Sequence, residues 1–252
     1  MKTAELTVRS WLSTGWATFI ANFGILSVGS FILLLSSFVL LIPIEYRLIL
    51  CLIPLLITPI LYVGFIGLCL KLIRREPNNI ANLFDGFHVY WKAPLISIVL
   101  VLIIIVPIFI STMIYGFGYG NRFASDNSFI SNMLNIQFAI LIILAICSIP
   151  ILISKYCLSL FVLADKKLSP FECFKSSSNI VRGNELKIFA VFCMFGLFAY
   201  AINFVQSIAV ANNVQIMGII SLLIYSFILG PWMVMTLAVA YNALVEKKNE
   251  LA

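Results

Sequence analysis

Long apolar stretches, separated by a few charged residues, constrain this chain more than any other feature. A helix of about 20 residues crosses the hydrocarbon core of a membrane. Only 10% of the residues are charged and 62% are hydrophobic, whereas a soluble domain is usually about 25% charged. We therefore predict one all-α integral membrane domain over residues 1–252, with six spans at roughly 23–42, 48–73, 95–115, 133–163, 188–210 and 216–244.

The basic residues predict the orientation of these spans, because Lys and Arg collect on the cytoplasmic side of a membrane. Placing both termini in the cytoplasm puts fourteen of the sixteen Lys and Arg inside and leaves Arg47 and Arg122 outside. We expect a multi-pass protein of a bacterial cytoplasmic membrane with both termini cytoplasmic. Membrane lipids are the expected partners, and no basic, aromatic module indicates nucleic-acid binding.

Three amphipathic segments precede the odd-numbered spans, at roughly 3–21, 79–92 and 170–182. Each predicts a helix lying on the cytoplasmic surface of the membrane. On the second, an apolar stripe follows α-helical spacing through Ile80, Leu83, Phe84, Phe87 and Trp91.

The third amphipathic segment carries the clearest helix start in the chain. Ser169 is the predicted N-cap, Pro170 the first helical residue, and Glu172 completes a capping box three residues after the cap. Phe171 and Val181 are expected near one face of this helix.

The even-numbered spans share a proline followed by a basic pair. Pro59 precedes Arg74 and Arg75, Pro150 precedes Lys166 and Lys167, and Pro231 precedes Lys247 and Lys248. This pattern predicts a threefold internal repeat of amphipathic helix, span, outer turn, proline-containing span and basic pair. Because proline bends a helix, the repeat predicts a cavity or a crevice open to lipid, with a compact bundle as the alternative.

Residues suited to catalysis are sparse. The one histidine, His88, follows Asp85 by three positions on the second amphipathic segment. Two such groups do not make a metal site, and the acidic residues all lie at span ends or in loops. We therefore expect no enzyme activity, no catalytic or metal site and no cofactor.

Several residues are candidates for contact with a lipid or an anion: Lys155, Lys166, Lys167, Lys175 and Arg182. For Lys155, the alternative is snorkelling toward the cytoplasmic face. Asn203 and Gln206, three residues apart in the fifth span, either line a polar cavity or form interhelical hydrogen bonds. Asp165 is expected to form a structural ion pair or a helix-end contact.

Two short motifs carry a family resemblance: LFDGF at 83–87, and FVLAD at 161–165 followed by Ser169-Pro170. With them the chain resembles a broad group of bacterial six-span integral membrane proteins. It is similar to the membrane domain attached to some glycerophosphodiester phosphodiesterases. Their catalytic barrel has no counterpart here, so the resemblance implies the fold and an inner-membrane location without hydrolase activity, and it transfers no site residues.

Two functions are compatible with these features. The first is a non-enzymatic inner-membrane protein that binds or moves a lipid or another amphiphile, or supports envelope homeostasis. The alternative is a membrane interaction subunit or immunity-type factor that binds another membrane protein. Its contact surface would be the polar segment 116–132 or the basic cytoplasmic loops.

Overall fold

The computed structural model describes residues 7–37, 52–122, 152–211 and 216–250. All regular secondary structure in these ranges is helical. In chain order the elements are α1 Val8–Ala21, α2 Phe23–Ser37, α3 Leu52–Arg74, a 3₁₀ helix Ile80–Val89, α4 Lys92–Arg122, α5 Ser159–Lys166, α6 Pro170–Val181, α7 Glu185–Ala211, α8 Ile216–Ile224, a π-helix Tyr225–Leu229 and α9 Gly230–Glu250.

Three helical stretches are long and apolar enough to cross a membrane: Leu55–Arg74, Glu185–Ile208 and Ile216–Glu250. The number rises to five if each of two bent helix pairs is one span. These pairs are α1 with α2, bent by 91°, and the 3₁₀ helix with α4, bent by 81°. The described chain is thus an all-helical protein with three to five candidate spans.

The six-span prediction stays a prediction, since parts of it fall outside the described residues. Segments 38–51 and 123–151, which include Pro150 and most of the predicted fourth span, are not described. The end of that span is helical at 152–156 and again in α5, with a turn at Cys157 and Leu158.

Helix α1 has the amphipathic pattern that the sequence predicts. Thr7 caps it by accepting a hydrogen bond from the backbone N–H of Ser10 at 3.2 Å. Its buried residues are Trp11, Gly15 and Phe19, which recur every four positions, as expected for one face of an α-helix. This face packs against α9.

The second amphipathic segment differs from its prediction in helix type. It is a 3₁₀ helix whose buried residues are Leu83, Gly86 and Val89, because side chains three positions apart align in a 3₁₀ helix. The rest of the predicted stripe is exposed, with Phe84 at 50% and Trp91 at 51%. In a membrane protein such apolar side chains can face lipid.

Two glycines explain why this helix lies so close to α3. A Cβ added at Gly64 would collide with the backbone carbonyl of Leu83, and one added at Gly86 would collide with the carbonyl of Ile60. The two backbones therefore touch without intervening side chains. This packing fixes the 3₁₀ helix against the middle of α3.

The capping box of α6 is confirmed. Glu172 Oε2 accepts hydrogen bonds from the backbone N–H of Ser169 at 3.1 Å and from its hydroxyl at 2.7 Å. These bonds lower the pKa of Glu172. The buried residues of α6 are Cys173, Ser177, Ile180 and Val181, so Val181 lies inside, whereas Phe171 is 79% exposed.

The core lies around α3, α5 and α9. In α9 the eight consecutive residues from Val234 to Tyr241 are buried. They are buried on all sides because α1, α3 and α6 pack on different sides of α9. By contrast, only 17% of the apolar window of Glu185–Ile208 is buried. Helix α7 is thus the most exposed of the three candidate spans.

Candidate functional site

A cavity of about 500 Å³ lies between α2, α3 and the π-helix. We call it the hydroxyl crevice, because its mostly apolar wall includes the hydroxyl side chains of Ser30, Thr58, Tyr62, Tyr225 and Ser226. The remaining lining residues are Leu33, Leu34, Phe65, Leu222, Gly230, Pro231, Met233 and Val234.

The π-helix beside this crevice follows from the local sequence. Pro231 has no backbone N–H and cannot donate to the carbonyl of Phe227, as position 231 of an α-helix would. The chain widens instead, and the N–H of Gly230 donates to the carbonyl of Tyr225, five residues earlier. A Cβ added at Gly230 would lie 3.2 Å from that carbonyl oxygen. Single π-turns of this kind are frequent at functional sites.

Polar and aromatic contacts join the helices that form the hydroxyl crevice. The hydroxyls of Ser36 and Thr58 are 3.0 Å apart and link α2 to α3. The rings of Phe31 and Phe227 stack with their centroids 6.3 Å apart and link α2 to the π-helix. Tyr225 is 51% exposed, so the crevice opens toward the surface of the bundle at this residue.

A second cavity, of about 240 Å³, lies between α3, the 3₁₀ helix and α5. We call it the paired cavity, because it is lined by as many acidic as basic side chains: Lys71, Arg74, Lys167, Glu76, Asp85 and Asp165. Lys71 Nζ lies 3.0 Å from Asp85 Oδ2, and Arg74 Nη1 lies 2.6 Å from Asp165 Oδ1.

Asp165 joins three helices at the paired cavity. Besides Arg74 of α3, it accepts a hydrogen bond from the hydroxyl of Tyr241 of α9 at 2.9 Å. Arg74 Nε donates to Asn242 Oδ1 at 3.1 Å. Burial by itself would raise the pKa of Asp165, but the bonds from Arg74 and Tyr241 outweigh it and hold the pKa below its usual value. The predicted structural ion pair of Asp165 is thus confirmed.

A third cavity, of about 420 Å³, lies where the turn between α6 and α7 meets the end of α9. We call it the basic cavity, because the charged side chains lining it are Arg182, Lys247 and Lys248. Its described lining contains no aspartate or glutamate. Asn179, Ile180, Gly183, Asn184 and Leu244 complete the lining.

The structure separates the five predicted lipid or anion contacts. Arg182 lines the basic cavity and Lys167 the paired cavity. Lys166 and Lys175 are exposed and line neither. Lys155 is half-buried, and its backbone carbonyl accepts a hydrogen bond from the hydroxyl of Ser177 at 2.7 Å. These residues therefore do not form one common site.

The two amides of the predicted fifth span, Asn203 and Gln206, lie outside the three cavities described above. Asn203 is exposed and donates to the carbonyl of Ala199 in its own helix at 2.8 Å. This bond is neither the interhelical bond nor the cavity contact that the sequence suggested. Gln206 is half-buried, with its Nε2 close to Gly218 of α8.

The two remaining prolines of the predicted repeat behave differently from each other. Helix α3 continues through Pro59, so this residue does not interrupt the span, whereas Pro231 lines the hydroxyl crevice beside the π-helix. The two sharp bends lie at Asn22 and at Tyr90–Trp91.

The hydroxyl residues of the crevice were not predicted from the sequence. The sequence signal that could have indicated the crevice is the pair Gly230-Pro231, which follows the π-helix.

No protein-family model matches the chain, and no curated protein or solved structure matches it either. The resemblance to the membrane domain of glycerophosphodiester phosphodiesterases therefore stays a prediction.

Proposed function

We propose that this protein binds an amphiphile in the hydroxyl crevice and acts without enzymatic chemistry. One observation carries the proposal: the mostly apolar lining of the crevice includes five hydroxyl-bearing residues. Ligand sites usually have this composition and a volume of about 300–1,000 Å³. The hydroxyls would orient the polar part of the amphiphile, and the leucine side chains would contact its hydrocarbon part.

Photocrosslinking in lipid tests this proposal. The purified protein would be placed in nanodiscs with a phospholipid that carries a diazirine in its acyl chain, and the crosslinked peptides would be identified by mass spectrometry. We expect crosslinks at crevice residues such as Leu33, Leu34 and Leu222. Filling the crevice with Ser226→Phe should remove most of them.

Ser207→Phe is the matched control, since Ser207 is an exposed serine of α7 outside the crevice. Its crosslinks should equal those of the wild type. Crosslinks spread evenly over exposed helix faces, or equal labelling of the two variants, would contradict the proposal.

We also propose that the chain has six spans in three repeated units. The membrane domain of the phosphodiesterases, which the chain resembles, would share this architecture. It is supported by a cyclic pattern of packing, in which the amphipathic helix of each unit packs on the even-numbered span of the preceding unit. Helix α1 closes the ring on α9. The contacts join Gly15 to Thr236, Gly86 to Gly64, and Ser177 to Lys155.

The register of these contacts gives independent support. Gly64, Lys155 and Thr236 each lie five residues after the proline of their own span. A Cβ added at Gly15 would be 2.9 Å from the Cα of Thr236, and one at Gly86 would be 3.0 Å from the backbone nitrogen of Gly64. In each contact the amphipathic helix contributes a small residue, Gly15, Gly86 or Ser177, and small residues let helices approach closely, as in other membrane proteins.

We place the helix ends that carry the basic pairs in the cytoplasm of a bacterial cell, following the bias of Lys and Arg. Cysteine labelling in cells tests this orientation, with the native cysteines replaced. An impermeant maleimide should label Asp126→Cys from outside and should leave Lys248→Cys unlabelled. The reverse labelling would overturn the orientation.

The alternative function, binding to another membrane protein, is favoured by the exposure of α7. Leu197 and Tyr200 are each 70% exposed, and the polar Asn203 lies on the same helix. A partner helix could cover this face. Affinity capture in mild detergent would recover such a partner in a fixed ratio, and recovery of the chain alone would count against this alternative.

A further inference from the structure

The basic cavity differs from the paired cavity in that its described lining has cations but no carboxylate. In the paired cavity, both Lys71 and Arg74 have a carboxylate within 3.0 Å. In the basic cavity, Arg182, Lys247 and Lys248 face a common space of about 420 Å³ without an acidic residue in the described lining. Three cations brought together in this way repel one another unless an anion lies between them.

Two carboxylates that are sequence neighbours of lining residues, Glu185 and Glu246, already have other partners. Glu185 Oε2 accepts a hydrogen bond from the backbone N–H of Gly183 at 2.8 Å. Glu246 Oε1 accepts one from Asn242 Nδ2 at 2.8 Å. The first bond holds the carboxylate of Glu185 at the backbone of Gly183, and the second holds the carboxylate of Glu246 at Asn242 of α9. Asn179 and Asn184 add uncharged amide groups to the cavity wall.

The surroundings of the basic cavity fit the polar boundary of a membrane. Ile180 and Leu244 form an apolar part of its wall. Leu186, at the beginning of α7, is 83% exposed, and Lys187 follows it. A strongly exposed leucine beside a cluster of cations is typical of a helix end that reaches from the head-group region into the hydrocarbon.

We propose that the basic cavity binds the phosphate group of an anionic membrane lipid. Arg182 would contact the phosphate oxygens through its planar guanidinium, while Lys247 and Lys248 would neutralise the charge. The apolar wall would contact the glycerol and the first methylenes. The site is separate from the hydroxyl crevice, since Val234 and Leu244 are ten residues apart on α9, which is about 15 Å along the axis.

Native mass spectrometry of the full chain, titrated with phosphatidylglycerol or phosphatidylcholine in detergent, tests this proposal. We expect one phosphatidylglycerol to bind at least tenfold more tightly than phosphatidylcholine. Arg182→Gln combined with Lys247→Gln should weaken phosphatidylglycerol binding about thirtyfold, from the usual contribution of each cation near an anionic lipid surface.

Lys166→Gln combined with Lys175→Gln is the matched control, because it removes the same charge from exposed residues outside the basic cavity. It should change the affinity less than threefold. Equal weakening in the two double variants would overturn the site, since general charge would then explain the binding.

An arm with inorganic phosphate distinguishes a lipid site from a site for a soluble anion. At constant ionic strength, excess phosphate should displace little phosphatidylglycerol, because it makes no contact with the apolar wall. Displacement of the lipid by equimolar phosphate would overturn the assignment to lipid.

Acetylation footprinting of the wild type gives a measurement that does not depend on how the variants fold. Phosphatidylglycerol should protect Lys247 and Lys248 several-fold, while Lys175 reacts as before. Equal reactivity of Lys247 with and without the lipid would overturn the proposal. This footprint concerns the basic cavity alone. A negative footprint is therefore compatible with crosslinks in the hydroxyl crevice, and a positive footprint is compatible with their absence.

Discussion

The paired cavity and the basic cavity lie at the same charged end of the bundle and are each lined by three cations. They differ in their acidic residues: the paired cavity also has Glu76, Asp85 and Asp165, whereas the described lining of the basic cavity has none. The proposed orientation would account for the cations at this end, because Lys and Arg collect on the cytoplasmic side of a membrane. It does not explain which of them are neutralised within the protein.

The comparison indicates two different roles for similar residues. In the paired cavity the charges hold α3, α5 and α9 together through Arg74, Asp165 and Tyr241. In the basic cavity the side chains of Lys247 and Lys248 are exposed and remain available to a ligand. Four experiments can sharpen or break this distinction.

The largest expected effect concerns the backbone contact that forms the wall of the paired cavity. Gly64→Ala would force the 3₁₀ helix away from α3, because the new Cβ would meet the carbonyl of Leu83. We expect a loss of about 3 kcal/mol in the free energy of unfolding, measured by denaturation in mixed micelles. Gly67→Ala is the control: it lines the same cavity, and its Cβ would meet nothing within 4 Å. Equal stability of the two variants would contradict the role of this contact.

The next effect concerns the ion pair itself. Arg74→Gln would leave Asp165, whose side chain is 14% exposed, without its cationic partner. We expect a loss of about 2 kcal/mol, as is usual for a hydrogen bond to a charged group. Arg75→Gln, at an exposed neighbour, should cost less than about 0.5 kcal/mol. A double-mutant cycle with Asp165→Asn would show no coupling if the pair were unimportant.

A smaller effect is expected at the turn that shapes the basic cavity. Gly183 has a φ of +83°, and a Cβ there would meet nothing within 4 Å. Gly183→Ala should therefore cost only the left-handed backbone strain, about 1 kcal/mol, and should weaken lipid binding by distorting the turn. Gly196→Ala, in α7 and also without a neighbour within 4 Å, should not destabilise the protein. If Gly183→Ala binds phosphatidylglycerol as tightly as the wild type, the turn does not determine the site.

The smallest effect is the pH dependence of the stability that Asp165 contributes at the paired cavity. Because folding lowers the pKa of Asp165 from an unfolded value of about 3.9, its stabilisation is complete above that value. It is lost as the pH falls through the lower, folded-state pKa. The stability difference between wild type and Asp165→Asn should thus be constant from pH 7 to about pH 5 and shrink below about pH 4. The difference between wild type and Lys247→Gln should not shrink with it. A constant difference for Asp165→Asn down to pH 3 would contradict the lowered pKa.

Local sequence signals predicted local structure well. The capping box at Ser169 and the amphipathic helix α1 are confirmed, because both depend on residues that lie close together in the chain. The 3₁₀ helix was not predicted, since the spacing of Ile80, Phe84 and Phe87 also fits an α-helix. Its conformation accompanies the backbone packing of Gly64 and Gly86, which lie 22 positions apart in the chain.

The candidate sites were predicted only in part. Arg182 was predicted as an anion contact and lines the basic cavity, but its neighbours Lys247 and Lys248 were explained by orientation alone. The hydroxyl crevice brings Ser30, Thr58 and Ser226 together from three helices. No spacing in the sequence indicates that these residues meet.

The sequence by itself determined that the described parts of the chain are all-helical and include helices apolar enough to span a membrane, because hydropathy and helix capping act over short distances. Only the tertiary structure decided which cations are paired and where the cavities lie. The physical reason is that Arg74 and Asp165 are 91 positions apart, and an ion pair forms only when packing brings both groups within a few ångströms. The same packing leaves Arg182, Lys247 and Lys248 around a common space.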